Sequence, residues 1–395
     1  MILSDVCEFI VDCPHSTAPD EGEGYPLIRT PNVGKGRLDL NGVHRVSESV
    51  YKQRIQRGAP RANDLIFARE APAGNVALVQ ENQTVCLGQR TVLIRPNVQK
   101  VNPQYLVYYL LSPKPQYELL GTANGATVAH VNLPAIRNLK IELPEKSVQD
   151  KIGTILVTYD DLIENNQKQI KLLEEAAQRL YKEWFVDLRF PGHENTKIVD
   201  GVPEGWSIYP FSSKVDIMSG GTPKTSIPDY YNGKIPFYTP KDNDGAFFAY
   251  KTQMNITEGG LKNCNSRLYP PKTVIITARG TVGKTTILAV PMAMNQSCYA
   301  LKMKENDAPY YLFFALDNEI KALQTMANGG VFNTIIGKTF DSINIQIPKD
   351  PLIYGFEETV RPFMEQIKNK LQANSKLVEA RDRLLPKLMS GEVKV

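Results

Sequence analysis

Residues 147–188 read SVQDKIGTILVTYDDLIENNQKQIKLLEEAAQRLYKEWFVDL. Mostly apolar residues recur along this stretch in alternating steps of four and three, from Ile152 to Trp184, and the other positions are rich in Lys, Glu, Asp and Gln. This heptad pattern is typical of a helix that buries a narrow apolar stripe against a second helix. A helix from Ile152 to Trp184 would be roughly 50 Å long, which is more than a small domain needs for its own core.

A second stretch near the C-terminal end repeats this pattern. Ile152 maps onto Val360 (360 − 152 = 208), and the same offset continues without a gap to Leu388. Asn166 falls on Asn374, and a single asparagine in an apolar stripe fixes the register and orientation of paired helices. We therefore expect the two stretches to pair through Ile152, Leu156, Tyr159, Ile163, Asn166, Ile170, Leu173, Val360, Met364, Ile367, Leu371, Asn374, Val378 and Leu385.

The second copy of the helix departs from the first at three positions. Pro362 and Pro386 are expected to confine its regular part to about residues 361–385, because proline lacks the N–H that an internal helical position donates. Arg381 stands where the first copy has an apolar residue. The second helix is thus expected to be an imperfect repeat of the first.

Composition bounds the class of protein. A chain of 395 residues with 42% hydrophobic and 22% charged residues indicates two or three ordinary globular domains. The net charge of +4 permits a polyanionic partner without requiring one. Five widely spaced cysteines without a CxxC pair indicate reduced thiols in a cytoplasmic protein. Neither a signal peptide nor an apolar run of the ~18 residues needed to span a membrane is expected.

The globular parts are also duplicated. Residues 1–146 alternate short β-type runs with turns and contain one apolar helix, PQYLVYYLL at 103–111, which predicts an α+β domain. The loop 122–144 aligns without gaps with 326–348 (326 − 122 = 204). The further echoes are Arg29-Thr30-Pro31 with Tyr238-Thr239-Pro240, Ala68-Arg69 with Ala278-Arg279, RTVLIRPN (90–97) with SCYALKMK (297–304), and PQYLVYYLL with PYYLFFAL (309–316).

The sequence therefore predicts a tandem duplication of a mixed α/β domain plus a long helix. An antiparallel pairing of the helices would give the chain pseudo-twofold symmetry, with the two domains separated by up to about 50 Å, or about 15 base pairs of B-DNA. Two divergent domains at a fixed spacing would read two different half-sites. The predicted limits are 1–146 and 191–350 for the domains, and 147–190 and 351–395 for the helices.

One motif superficially resembles a nucleotide-binding loop. The run Ala278 to Thr285, ARGTVGKT, lacks only the first glycine of a Walker A motif. A phosphate-binding loop needs a helix that begins at its lysine, but the following ILAVPMAMNQ is expected to be extended and broken by Pro291. We therefore predict no NTPase site here.

A second motif is close to the loop with which amino-methyltransferases hold a flipped base. Asn102-Pro103-Gln104-Tyr105 resembles that loop, but the chain has no glycine-rich stretch for an adenosyl cofactor. Asn102 and its counterpart Asn306 are better interpreted as caps at the start of helices. The chain also has only four histidines, none at metal-ligand spacing, and no catalytic constellation.

What remains is binding by polar loops that recur at matched places in both halves. Arg and Lys suit phosphates and guanine edges, and Asn suits adenine. The alternative is an ordinary solvated loop, which the recurrence disfavours for the set as a whole. The candidate DNA-contacting residues are His15, Ser16, Thr17, Arg29, Thr30, Lys35, Arg37, Arg69, Asn124, His130, Thr222, Lys224, Thr225, Thr239, Lys241, Asn243, Arg279, Lys284, Asn328 and Asn333.

With these features assembled, the chain resembles the specificity (S) subunits of type I restriction–modification enzymes over essentially its whole length. The stretch 202–242 (VPEGWSIYPFSSKVDIMSGGTPKTSIPDYYNGKIPFYTPKD) looks like the start of a target-recognition domain, as does 3–39. The run IELPEKSVQDKIGTIL (141–156) looks like the entry to a spacer helix, with Gln149 in the expected place. The second copy keeps Pro348 but lacks that glutamine.

This resemblance implies a non-catalytic subunit that reads a bipartite, asymmetric site on double-stranded DNA. Its helices would set the spacer and dock two methyltransferase (M) subunits, which restriction/translocase (R) subunits then join. It also implies that S-adenosylmethionine, ATP and Mg²⁺ belong to the partner subunits and that this chain holds no cofactor or metal. The alternatives left open by the sequence are a stand-alone adenine-specific DNA methyltransferase and a coiled-coil adaptor that binds only proteins.

Overall fold

The computed structural model of the chain describes residues 1–121, 129–326 and 334–395. The chain divides into two compact units: unit 1 comprises Met1–Asn165 and Asn374–Val395, and unit 2 comprises Asn166–Ala373. The division falls inside the two long helices, so each unit contains part of both. The domain limits predicted from the sequence, which lie at the helix ends, stay a prediction.

Unit 1 is a mixed α/β fold built on two sheets. The larger sheet has the strand order β1-β8-β5-β6-β3, and the smaller has the order β4-β2-β7. The strands are β1 Cys7–Asp12, β2 Tyr25–Ile28, β3 Gly36–Arg37, β4 Arg45–Val46, β5 Leu65–Ala68, β6 Val76–Leu78, β7 Cys86–Leu87 and β8 Thr91–Pro96. The helices are α1 Glu48–Arg54, α2 Pro103–Leu111, α3 Pro113–Gly121, α4 Leu133–Arg137 and α5 Lys146–Tyr181, which continues into unit 2.

Unit 2 repeats this architecture. Its larger sheet has the order β12-β19-β16-β17-β14 and its smaller sheet the order β15-β13-β18, with two short pairs, β10-β9 and β11-β20, in addition. The strands are β9 Ile198–Val199, β10 Val202–Pro203, β11 Ser207–Pro210, β12 Val215–Ser219, β13 Tyr231–Tyr238, β14 Phe248–Ala249, β15 Asn255–Ile256, β16 Val274–Thr277, β17 Thr285–Leu288, β18 Ala293–Met294, β19 Cys298–Met303 and β20 Asn344–Ile347. The helices are α6 Phe211–Lys214, α7 Glu258–Lys262, α8 Pro309–Met326, α9 Gly337–Asp341 and α10 Asp350–Ser390, which ends in unit 1.

The local sequence explains the central elements. β5 (LIFA) and β16 (VIIT) are continuous apolar runs, and every residue of both strands is buried because each lies in the middle of its sheet. α2 is apolar on nearly all sides because it is enclosed by the sheet and the base of α5. Asn102 begins α2 as its N-cap: its side-chain oxygen accepts a hydrogen bond from the Tyr105 N–H at 3.0 Å. The predicted cap is confirmed at this position.

The two matching strand orders confirm the tandem duplication, and the hydrogen bonds correct its alignment. Ala68 pairs with Thr91 in unit 1, and Thr277 pairs with Cys298 in unit 2. Thr91 matches Cys298 at the offset of RTVLIRPN to SCYALKMK (298 − 91 = 207). Their partners Ala68 and Thr277 are therefore equivalent, and Arg279 corresponds to Glu70. The sequence echo of Ala68-Arg69 with Ala278-Arg279 is wrong by one residue, because the loops differ while the strand ladders coincide.

The same shift occurs after β2 and β13, the middle strands of the two smaller sheets. The Arg29 N–H donates to the Asn32 side chain at 3.1 Å, and the Thr239 N–H donates to the Asp242 side chain at 2.8 Å. Arg29 therefore corresponds to Thr239, whereas the sequence echo placed Thr30 there. The two turns make the same hydrogen bond between a backbone N–H and the side chain three residues later, but the Thr-Pro dipeptide lies one residue later in the first turn than in the second.

In unit 1, the first part of α5 pairs with the last part of α10. Ile152, Leu156 and Leu388 are buried in one core. The Asn374 side-chain amide donates to the Ile163 carbonyl at 3.3 Å, and Arg381 contacts Asp160. Residues later in α10 thus meet residues earlier in α5, which is the predicted antiparallel arrangement.

In unit 2, the second part of α5 shares a core with the first part of α10. Ile170 and Ala177 are buried with Val360, Met364 and Ile367 in one cluster. Most residues predicted for the helix pairing are buried or half-buried in the two units. Val378 is 36% exposed, and its part in the pairing stays a prediction.

Pro362 and Pro386 do not end α10, which runs from Asp350 to Ser390. The expectation of a regular part confined to 361–385 is therefore wrong. Each proline leaves one carbonyl a turn earlier without its usual donor, at a cost of about 3 kcal/mol. The side chains of Ile353, Phe356 and Val360 are fully buried before and around Pro362, and each contributes about 1.5–3 kcal/mol to stability. Packing of the apolar face thus outweighs the lost hydrogen bonds.

α5 ends differently, in a π-helical turn over Lys182–Val186. This turn places Phe185 in the core of unit 2 and Trp184 against Phe356, at a ring distance of 5.9 Å. Within the part of the chain that the structure describes, no helix has the length and apolar character needed to cross a membrane.

Candidate nucleic-acid interface

In unit 1, four loops meet at one end of the sheets, and we call residues 13–17, 29–35, 69–75 and 88–90 loop end 1. The Gly88 N–H donates to the Ile28 carbonyl at 2.8 Å, which joins the fourth loop to the start of the second. The Arg69 N–H donates to the Arg90 carbonyl at 2.9 Å, and the Asn75 side chain donates to the Val33 carbonyl at 2.9 Å. The loops are therefore held to one another by hydrogen bonds to backbone carbonyls.

The first of these loops, residues 13–17, accepts hydrogen bonds from three side chains of neighbouring segments. Arg54, which is 5% exposed, donates to the Ser16 carbonyl at 2.6 Å. Arg57 donates to the Cys13 carbonyl at 3.0 Å. Gln89 donates to the His15 carbonyl at 2.7 Å. The backbone of residues 13–16 is thus fixed, while the side chains of His15, Ser16 and Thr17 are exposed.

In unit 2, the corresponding loops also meet, and we call residues 220–225, 239–245, 278–284 and 295–297 loop end 2. The Asn295 N–H donates to the Tyr238 carbonyl at 2.9 Å, and the Ala278 N–H donates to the Ser297 carbonyl at 2.7 Å. These are the counterparts of the contacts made by Gly88 and Arg69. The duplicated scaffold therefore builds the same loop arrangement twice.

The first loop of loop end 2 is held by other means. A Cβ on Gly220 would lie 2.1 Å from the Asn295 carbonyl oxygen, so only glycine fits there. The Tyr231 hydroxyl donates to the Pro223 carbonyl at 2.7 Å, and the Thr222 hydroxyl bonds the Gln296 side chain. Thr222, Lys224 and Thr225 are exposed.

In both units a glutamine of the fourth loop contacts the first loop, through the His15 carbonyl in unit 1 and the Thr222 hydroxyl in unit 2. Strand pairing places Asp12 opposite Val92 and Ser219 opposite Tyr299, so His15 corresponds to Thr222 and Gln89 to Gln296. Each glutamine thus ties the first loop of its unit to the fourth loop, which precedes β8 in unit 1 and β19 in unit 2. The sequence reasoning missed this pair, although the offset of RTVLIRPN to SCYALKMK (297 − 90 = 207) extends one residue upstream to both glutamines.

Several predicted contact residues are exposed at these two ends. Lys35 in unit 1 is exposed, as are Lys224, Lys241, Arg279 and Lys284 in unit 2. Arg29 and Asn243 are half-buried. Loop end 2 therefore presents a group of cations suited to phosphate contacts.

Other predicted residues have their polar groups engaged inside the protein. Thr30 is buried, and the Thr239 hydroxyl donates to Asp242 at 2.7 Å. Arg69 donates to Asp12 at 2.7 Å and to the Val131 carbonyl at 2.9 Å, and His130 contacts Arg69 at 2.8 Å. Thr30, Arg69 and His130 support loop end 1 and Thr239 supports loop end 2, so direct base contact by these side chains is disfavoured.

Arg37 lies away from the loop tips, where it forms an ion pair with Asp161 of α5. Its side chain is 17% exposed, so this residue joins the globular part to the helix. Asn124, Asn328 and Asn333 lie outside the described residues.

The two motifs that mimic enzyme sites have structural explanations. The run Ala278–Lys284 connects the antiparallel strands β16 and β17, and the residues from Thr285 form a strand where a phosphate-binding loop would have a helix. Asn102 caps α2, as described above. Among the described residues, no three His, Cys, Asp or Glu side chains are arranged to hold a metal ion.

Asn306 does not cap α8, contrary to the prediction. Its side chain donates to Asp350 at 3.2 Å and accepts from the Tyr354 hydroxyl at 3.3 Å. The acceptor at the start of α8 is Glu357, which takes the Tyr311 N–H at 2.8 Å. In unit 1, Gln149 accepts the Asn102 N–H at 3.0 Å, and 149 + 208 = 357. α5 thus anchors the start of α2 through a glutamine, and α10 anchors the start of α8 through a glutamate.

Comparisons with known proteins give this arrangement its context. The family model for the type I restriction modification DNA specificity domain matches residues 1–175 and again 203–372. The type I restriction enzyme MjaIX specificity subunit of Methanocaldococcus jannaschii is 28% identical, over 90% of this chain and 83% of that protein. The type I restriction enzyme HindI specificity subunit of Haemophilus influenzae is 24% identical, over 85% and 87%.

A solved structure shares the fold. The type I restriction-modification system S subunit from M. genitalium superimposes with a TM-score of 0.60 at 16% identity, covering 98% of this chain and 95% of that chain. Since the family model matches both halves of the duplication, the chain belongs to the type I restriction–modification DNA specificity family, whose members are recognition subunits rather than enzymes.

Proposed function

We propose that the chain reads a bipartite, asymmetric site on double-stranded DNA, with one half-site contacted by loop end 1 and the other by loop end 2. The observation that carries this proposal is the repeated anchoring of the first loop, by Gln89 in unit 1 and Gln296 in unit 2. A glutamine anchor recurs, but the displayed side chains differ: His15-Ser16-Thr17 on one loop and Lys224-Thr225, next to the anchored Thr222, on the other. One scaffold with two surfaces suits two different half-sites.

The remaining parts of the proposal concern partners. The long helices α5 and α10 hold the gap between the half-sites and dock two methyltransferase subunits, and restriction subunits join that core. S-adenosylmethionine, ATP and Mg²⁺ then act in the partners, while this chain supplies sequence selection. The family assignment and the exposed cations of loop end 2 support this division of labour.

The test is selection from a randomised duplex pool by the purified chain, with and without a methyltransferase subunit. We expect the retained duplexes to share two short, different half-sites with a fixed gap. Binding should weaken with salt, because cations on loop end 2 release counterions from the phosphates. A retained pool without common sequence in either condition would contradict the proposal and favour an adaptor that binds only proteins.

Two matched variants assign the half-sites. His15→Ala with Ser16→Ala and Thr17→Ala changes only exposed side chains of loop end 1, and Lys224→Ala with Thr225→Ala does the same for loop end 2. A base contact is worth about 1–3 kcal/mol, so we expect each variant to lose about 10- to 100-fold in selectivity at one half-site. The other half-site serves as the internal control.

Loss of selectivity at both half-sites in each variant would contradict a one-to-one assignment of loop ends to half-sites. Unchanged selectivity in both variants would remove these two loops from the interface. The measurement is competition binding against duplexes altered in one half-site at a time.

A further inference from the structure

A buried ion pair lies in the helix seam of unit 1. The Arg381 guanidinium of α10 contacts the Asp160 carboxylate of α5 at 2.5 Å, and their side chains are 11% and 2% exposed. The other oxygen of Asp160 accepts the Tyr108 hydroxyl of α2 at 2.6 Å. One carboxylate thus joins three elements: the first long helix, the second long helix and the globular part.

The residues that surround Asp160 leave space for its carboxylate. A Cβ on Gly36 of β3 would lie 2.5 Å from the Asp160 carboxylate and 3.2 Å from the Tyr108 ring, so glycine is needed for this approach. The next residue, Arg37, pairs with Asp161 and lies 4.0 Å from Glu164. Burial, followed by the charge of Asp160, raises the pKa of Tyr108 well above its ordinary value, so its hydroxyl stays a donor.

Among the described residues of unit 2, aromatic side chains occupy the place that corresponds to this network. Tyr108 corresponds to Phe314 through the shared offset of α2 and α8 (314 − 108 = 206), and Arg37 corresponds to Phe248 through the strand pairing. Phe247, at the position of Gly36, packs against Phe314 with ring centroids 5.6 Å apart. An aromatic cluster therefore replaces the charged network of unit 1.

The helix positions differ in the same way. The offset of 208 relates Asp160 to Lys368 and Leu173 to Arg381, so the buried pair has no equivalent in the other copy. An apolar seam with a heptad repeat is compatible with pairings displaced by whole heptads, about 10 Å or about three base pairs each. A displaced α10 would leave the buried Asp160 carboxylate without its counter-charge, which is strongly unfavourable.

We propose that Tyr108, Asp160 and Arg381 are positioning residues that lock α10 in one register against α5 and the first globular part, and thereby define the gap between the two DNA half-sites. This inference rests on the proposed function. The lock acts through the placement of loop end 1 on its helices and not through contact with DNA. Its polar character makes it selective, because only one register neutralises the buried carboxylate.

The test replaces the lock with apolar residues in the full chain, assembled with its methyltransferase subunits. The variant Tyr108→Phe, Asp160→Leu and Arg381→Leu introduces at two positions the residue types of unit 2, and removing all three partners leaves no unpaired buried charge. Binding is measured on duplexes that carry both selected half-sites with the gap changed by one, two or three base pairs. We expect the preference for the native gap to fall about tenfold, while affinity for each isolated half-site stays within about twofold.

Three controls make the result specific. Arg383→Leu breaks an exposed ion pair with Glu379 on the same helix and is expected to leave the gap preference unchanged. Arg381→Lys keeps the charge and is expected to retain most of the preference. Tyr108→Phe keeps the ion pair and is expected to give an intermediate loss, and it provides the measurement if the triple variant does not fold.

The outcomes separate the lock from the function on which it rests. A triple variant, or a Tyr108→Phe variant, with the native gap preference overturns the lock while the two-reader proposal stands. If the unaltered assembly selects no paired half-sites at all, the proposed function itself fails. A loss of half-site affinity equal to the loss of gap preference would show a general structural role and would also overturn the lock.

Discussion

Replacing Phe356 with alanine is expected to lower the free energy of unfolding of unit 2 by about 3–5 kcal/mol. Phe356 is fully buried at the place where α5 and α10 meet. Its ring contacts Tyr181, Trp184 and Phe185 at centroid distances of 5.9, 5.9 and 5.1 Å. Truncation removes these contacts and leaves a cavity that the surrounding rings cannot close without losing their own packing.

The measurement is a urea titration followed by tryptophan fluorescence. Both tryptophans of the chain, Trp184 and Trp206, belong to unit 2, so the signal reports on that unit alone. The matched control is Tyr354→Ala, an aromatic residue two positions earlier that is 46% exposed and makes one hydrogen bond. We expect that control to cost about 1 kcal/mol or less. Equal shifts of the unfolding midpoint in both variants would show that Phe356 is not central to the core.

Replacing Glu357 with glutamine is expected to stabilise unit 2 at neutral and alkaline pH. Burial raises the pKa of Glu357 from its ordinary value of 4.5 to about 7, against the opposing effect of hydrogen bonds from the Tyr311 and Tyr310 N–H groups. The folded state therefore holds a proton that the unfolded state has already released between these two pH values. The free energy of unfolding must fall as the pH rises through this window.

The size of the effect follows from the two pKa values. The penalty is absent below about pH 4.5, grows up to about pH 7 and then stays constant at about 3 kcal/mol. Glutamine carries no charge, and its carbonyl oxygen is suited to accept the Tyr311 N–H, as the Gln149 oxygen accepts the Asn102 N–H in unit 1. The variant is therefore expected to gain up to about 3 kcal/mol above pH 7 and little near pH 4.5.

The check is the pH dependence of unfolding between pH 5 and 8, again by tryptophan fluorescence. Glu358→Gln is the matched control, because Glu358 is the next residue on α10 and is exposed. We expect the slope of stability against pH to decrease in Glu357→Gln and to persist in Glu358→Gln. The same slope in the two variants would refute the assignment of this pH dependence to Glu357.

Much of the fold was predictable because it rests on local periodicity. The heptad rhythm from Ile152 and its copy from Val360 identified both long helices and their pairing, since an apolar stripe has to be buried against something. Apolar runs such as LIFA at 65–68 indicated strands, and their place in the middle of the sheet came from the structure. Matching offsets between the halves identified the duplication before any strand order was known.

The candidate interface was predictable only in part. The side chains of residues 15–17 and of Lys224 and Lys241 are exposed, as a contact surface requires, and DNA contact by them stays a prediction. Arg37 and Arg69 have the same residue chemistry, yet their charges are engaged by Asp161 and Asp12. Sequence cannot separate an arginine that faces solvent from one whose partner is brought to it by the fold.

The alignment of the halves shows the same limit at the scale of single residues. The identical dipeptides Ala68-Arg69 and Ala278-Arg279 suggest one alignment of the two halves. The strand pairing instead makes Ala68 equivalent to Thr277, which is a different residue type. The loops differ in length between the two halves, whereas the hydrogen-bonded strands keep the same pairing register. Gln89 and Gln296 are separated by the same 207 residues as the corresponding strands β8 and β19, so their equivalence becomes clear once the strand pairing is known.

By itself, the sequence determined the number of units, the two long helices, their mutual pairing and the class of surface that the loops present, because each depends on a repeated local pattern of apolar and polar residues. The tertiary structure alone decided which charges are buried and paired. Asp160 looked like one more surface carboxylate of an amphipathic helix, but Arg381, distant in sequence, neutralises it inside the seam. A buried charge is stable only with its partner in place, and that partner is defined by three-dimensional proximity.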